Sequence, residues 1–379
     1  MNSFLLHTKK KQLLLLFIAW VIIQALLLFQ NGIKEDGESL RFIRESNLLL
    51  QDGHFSSPVY IFYCIQILLI GFSTTFFASH IPVIIIQLLC NLAALFILFN
   101  FLYKRCSPYT ALVASTLLLV CIPFQLYNSF LYTESIFFSL SMMYTVYLLS
   151  AKNLSTKRIL KLFFFLILLC LTRPSGLFFV AATVIYIFHL TSGHWHSGWR
   201  WSILLILCLL GILGINWIMQ GGGGLNSMKP FMEEHVICDV PTSNINTKIG
   251  DDVEPLTGIF DFIVQDPSTF IRLSFQKTIA FFGLYRNYYS IGHNFILMMY
   301  FFPLYILAAM AIMSKRKLAH GSGFFLRAVI FFFWLAVIFS CDEWHNRFFL
   351  TLTPILIMAA ASNFAKPEYT DIFDSDSHR

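Results

Sequence analysis

The sequence predicts an all-α polytopic membrane protein with about ten transmembrane helices, and three observations carry that expectation. Of 379 residues, 57% are hydrophobic and only 12% charged, with a mean hydropathy of +0.71; a soluble domain is roughly 45–50% apolar and about a quarter charged. Apolar runs of about 20 residues recur along the chain, the helix length that a hydrocarbon core of ~30 Å requires. The charges, in turn, crowd where the runs leave off. Between Asn31 and Pro58 stand Lys34, Glu35, Asp36, Glu38, Arg41, Arg44, Glu45 and Asp52, directly after "KQLLLLFIAWVIIQALLLFQ", in which only the first residue is charged.

Taken in order, the spans fall at about 12–31, 79–102, 109–126, 133–151, 159–172, 175–192, 201–219, 294–313, 323–340 and 348–364. The first is longer than a signal-peptide core and no small-residue cleavage site follows it, so it is read as a retained span. Cytoplasmic loops should be rich in Lys and Arg. With the N-terminus inside, 16 of the 26 basic residues lie inside, and 16 of the 20 acids, which were not used to choose the orientation, lie outside. The four remaining acids sit in the tail "EYTDIFDSDSHR", so both termini are expected in the cytoplasm. The domain is then residues 1–364, with outer loops 32–78 and 220–293, and residues 365–379 form the tail.

One further apolar run, Pro58–Phe72, would invert every later loop if it crossed. It is therefore expected to be an interfacial or re-entrant helix on the outer face. Ahead of it, Glu38–Gln51 fits an amphipathic helix lying along the interface, with Leu40, Ile43, Asn47 and Leu50 on one side and Arg41 and Arg44 on the polar side. Glu45 stands four residues after Arg41 for an ion pair, and Glu38 is also placed to hold Arg41. The loop 220–293 opens on Gly221–Gly224, carries five basic residues against eight acids, and turns amphipathic from "DPSTFIRLSFQKTIAFF".

The eight cysteines are scattered singly, with no CxxC pair to suggest zinc or redox chemistry. Six lie in or beside spans; Cys238 and Cys341 both fall outside, where a disulfide between them is open. His194 and His196 in "HWHSGW" have metal-like spacing but face the cytoplasm without clustered carboxylates, so no metal site is assigned. No basic aromatic strip suggests nucleic acid.

Charged residues in lipid are costly and gather at water-filled functional surfaces. The span centres here are almost free of them, which argues against an ion-coupled transporter. Five outward clusters should instead converge: "KEDGES", "YTES", "TRPSG", "GLYRNYY" and "DEWHNR". Asp36 would stand just ahead of the amphipathic helix, at the boundary of water and lipid.

In these residues the chain resembles the GT-C superfamily of glycosyltransferases, multi-span enzymes that use polyprenyl-phosphate sugars. Protein O-mannosyltransferases, lipid A aminoarabinose transferases and GPI mannosyltransferases belong to it. The stretch "EDGESLRFIRESNLLLQDGHFSSPVYIFYCIQILLIGF" is similar to the family's first outer loop, and "YNSFLYTESIFFSL", "LTRPSGLFFV" and "EWHNRFFLTLTPILI" follow in the family's order. Here the acidic motif is Asp36-Gly37-Glu38, with Leu40 where the family often has an aromatic residue.

The resemblance implies an inverting transfer of a hexose or mannose-like sugar from a polyprenyl-phosphate donor to a glycan, lipid or protein acceptor. It implies a bacterial inner membrane, or the ER membrane in a eukaryote. By position in the motif the base is Asp36, with Glu35 or Glu38 as fallback. Arg173, Arg347 and Arg41 become the donor-phosphate ligands, since guanidinium forks suit phosphate oxygens; the other reading of Arg173 and Arg347 is a snorkelling anchor. Glu134 and Tyr132 would bind substrate hydroxyls, or Glu134 would pair with an arginine. Arg286 and Tyr288 could close over the sugar or belong to an interface belt. His345 and Glu343 are substrate-binding candidates or polar anchors. Some family members use a divalent cation, for which this chain offers no clear ligand set. A polysaccharide polymerase or ligase, and a lipid-linked sugar flippase or transporter, stay open as alternatives.

The topology has a direct test. A cysteine in place of Asp252 is expected to react with an impermeant thiol reagent added outside, and one in place of Ser155 is not; labelling of the Ser155→Cys protein would overturn the orientation.

Overall fold

The computed structural model describes residues 2–150, 155–190, 202, 234–238, 240, 255–314 and 322–366. The expected span at 201–219, the Gly221–Gly224 run, the His194 and His196 loop and the tail from 367 lie outside the described residues. Among those described, the regular structure is helical. In chain order it comprises α1 (Asn2–Asn31), α2 (Glu38–Asp52), α3 (Cys64–Phe77), α4 (Ile81–Arg105), α5 (Pro108–Val120), α6 (Ile122–Leu126), α7 (Glu134–Leu149), α8 (Thr156–Thr172) and α9 (Gly176–Leu190). Then come α10 (Pro255–Gln265), α11 (Pro267–Gly283), α12 (Ile291–Met313), α13 (Ser322–Ile338), α14 (Arg347–Leu350) and α15 (Thr353–Ala361). Every expected span within the described residues is occupied by one of these helices or by a consecutive pair.

Local chemistry sets the starts. Proline opens α4, α5, α6, α11 and α15, where its missing N–H costs nothing and its fixed φ suits the first turn. Ser107, Asp266 and Ser290 cap α5, α11 and α12 by accepting from the amides of Thr110, Thr269 and His293 at 3.0, 3.0 and 3.2 Å.

Among the described residues five runs are long and apolar enough to cross a bilayer: Thr8–Asn31, Pro58–Phe77, Ile81–Arg105, Ile291–Met313 and Arg347–Phe364. A sixth is the pair Pro108–Val120 and Ile122–Ser129, which bends by 62°.

The bundle has two chemically different ends. At one, Glu35 beyond α1 meets His80 at the head of α4 at 2.8 Å, and Lys34 pairs its backbone with Ser129 and Leu131 at 2.9 and 3.1 Å. Glu134, Arg173, Asp342, Glu343 and Arg347 belong to the same end. At the other, Lys9 lies over the Tyr103 ring, the Arg105 guanidinium donates to the Leu149 carbonyl, and the Arg105 carbonyl accepts from the amide of Lys366 at 2.9 Å. The 25 residues of α4 separate the two ends, which at 1.5 Å per residue is about 37 Å. Helices α1, α4, α5 with α6, α7 and α14 with α15 each have one end in either set of contacts and so run between them.

The run Pro58–Phe77 does not. Its start is beside α2, with the Tyr63 ring 5.3 Å from Phe42, and its far end leads directly to His80 on Glu35. Both ends therefore stay at the acidic end, although the run is long enough to cross. Helix α3 packs on α2, and a Cβ at Gly71 would sit only 2.9 Å from Ser46 Oγ, so glycine lets the two helices approach.

That packing corrects the expected face of α2. The buried side carries Ser39, Phe42, Glu45 and Ser46, while Leu40 and Leu50 are 61% and 55% exposed. The Arg41–Glu45 pair is not made. Glu45 turns inward instead, accepting from the amide and hydroxyl of Ser56 at 3.0 and 2.6 Å to fasten the turn that leads to α3.

Within the bundle several buried, uncharged polar groups away from its ends pair across helices. Trp20 donates to Asn91 at 2.8 Å, and Gln24 donates to Gln125 at 2.9 Å. Asn128 donates to Gln24 and Gln125 at 3.3 and 3.2 Å. Such pairs bind helices together where lipid supplies no hydrophobic drive. Replacing Asn128 with Ala should lower stability by about 0.6–2 kcal/mol, read as a fall in the detergent-solubilised melting temperature with unchanged membrane insertion.

Candidate active site

The first turn of α2 builds one wall of the site. Gly37 precedes it at φ +59°, a left-handed conformation that glycine adopts without cost. A Cβ there would come within 2.6 Å of the Tyr132 hydroxyl, so the position excludes a side chain on two counts. Tyr132 donates to the Asp36 carbonyl at 3.3 Å, and Ser39 donates to the Lys34 carbonyl at 3.1 Å. Tyr132 is held in turn from α4, where Gln87 donates to the carbonyls of Phe130 and Tyr132, both at 3.0 Å. The Asp36-Gly37-Glu38 turn is thus set against "YTES" by contacts to its backbone.

Glu38 then reaches Arg347 in a two-point fork, at 2.6 and 3.1 Å. Arg347 also donates to Glu134 at 3.1 Å and pairs with Glu343, and its guanidinium lies 5.9 Å from the Tyr132 ring centre. Arg173, at the end of α8, pairs with Glu134 as well. Four of the five outward clusters therefore bring members to one place: Glu38, Tyr132 with Glu134, Arg173, and Glu343 with Arg347. Two guanidinium groups face three carboxylates, and Glu134 is fully buried.

Burial alone would raise the Glu38 carboxyl, but Arg347, through charge and hydrogen bonds, with Arg173 and Arg41 behind it, outweighs burial and holds it below its ordinary value. Glu38 was expected to hold Arg41; the structure gives it to Arg347 instead. Arg41 is exposed and pairs with no group among the described residues. The Asp36 and Glu35 carboxylates are exposed too; Glu35 is on His80, while the Asp36 carboxylate takes no hydrogen bond among the described residues.

The "GLYRNYY" cluster divides. Arg286 does not close over a ligand: it is fully buried, pairs with Asp342, and donates to the carbonyls of Ala280 and Tyr285 at 2.9 and 3.1 Å. Tyr288 remains 42% exposed. His345 is exposed and meets the Tyr289 hydroxyl at 3.2 Å. Burial, with the Arg347 charge, holds its imidazole below the ordinary value. Nearby, Lys277 is buried on the carbonyls of Ile338 and Ser340, and that burial pushes its ammonium down to about 7.

Asp342 and Lys277 went unassigned in the sequence; "DEWHNR" marked Asp342 as a charge but offered nothing to join it to Arg286. Cys238 and Cys341 do form a disulfide. Among the described residues no group of three His, Cys, Asp or Glu side chains is placed to hold a metal ion, and Glu38, Glu134 and Glu343 are on guanidinium groups. No protein-family model, curated protein or solved structure matches the chain.

Two measurements check the cluster. Arg347→Ala leaves three carboxylates without their shared cation and should cost about 3–5 kcal/mol, the range for removing one partner of a buried ion pair. For Glu38, whose folded value lies below the ordinary 4.5, the stabilisation is present above that pH and is lost as pH falls through the folded value. The melting temperature should therefore drop below about pH 4.5, and Glu38→Gln should flatten that part of the profile.

Proposed function

We propose that the protein is a GT-C-like inverting glycosyltransferase of about ten spans, moving a hexose from a polyprenyl phosphate to an acceptor hydroxyl at the acidic end of the bundle, on the outer side of the membrane. The observation that carries this reading is the setting of Asp36. Its exposed carboxylate stands at the rim of a buried cluster drawn from four distant parts of the chain, and its backbone is held there by Tyr132.

In this mechanism Asp36 takes the proton of the acceptor hydroxyl as its oxygen attacks the anomeric carbon. The bond from that carbon to the phosphate oxygen breaks, and the polyprenyl phosphate leaves with the electron pair. The configuration inverts because attack and departure are on opposite faces. Arg41 is the donor-phosphate candidate suited to direct contact, being exposed on the helix that follows Asp36. Arg173 and Arg347 are neutralised by glutamates and shape the site from beneath. Glu343, His345, Tyr288 and Tyr132 lie around the same rim and are the substrate-facing set.

The distribution of charge also weighs against the transporter alternative. The buried charged residues among those described, namely Glu45, Glu134, Arg173, Lys277, Arg286, Asp342 and Arg347, all belong to the acidic end, and none lines a path through the middle.

The test is transfer from a labelled polyprenyl-phosphate sugar in proteoliposomes. Asp36→Asn keeps the shape of the side chain and should lose about 10²–10⁴ in rate, the worth of a general base, while inserting normally. Arg41→Ala should weaken donor use by about 1.5–3 kcal/mol without loss of stability. Near-normal turnover of the Asp36→Asn, Glu35→Gln and Glu38→Gln proteins, each tested singly, would sink the reading.

A further inference from the structure

Followed away from Glu38, the contacts of Arg347 lead back to a disulfide. Glu343 pairs with Arg347, and the Glu343 amide donates to Asp342 Oδ1 at 2.9 Å. Asp342, fully buried, is locked on Arg286 by its other oxygen. Its backbone is locked as well: the Cys238 amide donates to the Asp342 carbonyl at 2.9 Å, and the Asp342 amide donates to the Val236 carbonyl at 2.9 Å. Next to it, Cys341 is bonded to Cys238, 103 residues away in sequence.

Between this anchorage and Arg347 the chain makes an unfavourable turn. His345 and Asn346 both have left-handed backbones, at φ +56° and +59°. Two consecutive non-glycine residues in that region persist only where the surroundings over-determine them. The turn displays His345 outward and returns the chain inward at once, so that Arg347 starts α14 buried. One side of the turn is held by Arg347 itself. The other is held by Asp342 and the disulfide.

We propose that the Cys238–Cys341 disulfide is a positioning element for Arg347, fixing the start of the 342–346 turn so that the guanidinium lands on Glu38 and Glu134. It follows that oxidation of the two thiols, by exchange with a disulfide donor that is itself reduced to a dithiol, must precede full activity. The loop residues 234–238 and 341–343 then belong in an oxidising compartment, the side on which the charge pattern puts them. The effect on transfer rests on the glycosyltransferase reading; the effect on the cluster does not.

The experiment is hydrogen exchange on the full-length protein in lipid nanodiscs, before and after reduction with dithiothreitol, which gives two electrons and two protons to the bond, leaves two thiols and itself closes to a cyclic disulfide. The Cys238→Ala, Cys341→Ala double variant is run beside it, and reduction of the assembled protein covers any failure of that variant to fold. Exchange is expected to rise about tenfold at 343–347 and at 38–42, with 81–105 unchanged, as local openings of a coupled unit do. In the Glu343→Gln protein, reduction should no longer reach 38–42. A rise confined to 236–238 and 341–342 would overturn the proposal, because the bond would then be a local staple. A rise that includes 81–105 would overturn it too, showing a support for the whole fold. Should exchange respond as expected while no transfer is found in any form, the positioning role stands and the enzymatic reading falls.

Discussion

Glu38 and Arg347 are 309 residues apart in sequence and meet in a two-point fork, and much of the architecture exists to let them do so. A guanidinium taken from water loses several kcal/mol of hydration, so burying Arg347 requires carboxylates from more than one direction. Glu38 comes from the first turn of α2, Glu134 from the first turn of α7, and Glu343 from the turn before α14. Each of these starts is fixed by something else: the glycine at 37, Gln87 beneath Tyr132, the disulfide beside Asp342. Arg173 then shares Glu134 and draws the end of α8 into the same knot. Removing Arg347 or Arg173 leaves charge uncompensated on Glu134, which is fully buried.

Much of the fold was legible because it follows from one-dimensional patterns. Apolar length located the helices, and the sorting of basic and acidic residues anticipated two ends that the structure shows to be chemically distinct. Pro58–Phe72 was set apart from the spans on charge arithmetic and on its shortness; the helical run extends to Phe77 and is long enough to cross, so only the charge argument agrees with the placing of Tyr63 and His80 at the same end. What was not legible depends on partners far apart in the chain. Helical periodicity suggested Glu45 for Arg41 and Glu38 for Arg41, both local pairs. The structure spends Glu45 on Ser56 and Glu38 on Arg347. Arg286 looked like a surface group from its aromatic neighbours, yet Asp342 takes it into the interior.

The site candidates sort by the same logic. Four of the five charged clusters named in the sequence did converge, because charged groups at one end of an apolar bundle have few places to go. Their division of labour was another matter. A carboxylate held by a guanidinium is a poor proton acceptor, since its charge is already satisfied. Pairing therefore separates Asp36, exposed and unclaimed among the described residues, from Glu38, Glu134 and Glu343. It likewise separates Arg41 from Arg173 and Arg347. Sequence position already put Asp36 ahead of Glu35 and Glu38, but it put Arg173 and Arg347 ahead of Arg41, and only three-dimensional pairing sets Arg41 apart.

Helix α3 has a consequence for the surrounding bilayer. It lies at one end of the bundle with Leu68, Phe72, Phe76 and Phe77 at least half exposed, so its apolar side faces outward over its 14 residues. A helix of that length is about 21 Å long and about 10 Å wide. Seated in one leaflet, it displaces lipid there and none in the other. Where α3 is so seated, it adds cross-section to the described part of the molecule on that side alone. Such a wedge is best accommodated where the leaflet that holds α3 is on the convex side, so membrane curvature becomes a variable that biases where the molecule resides.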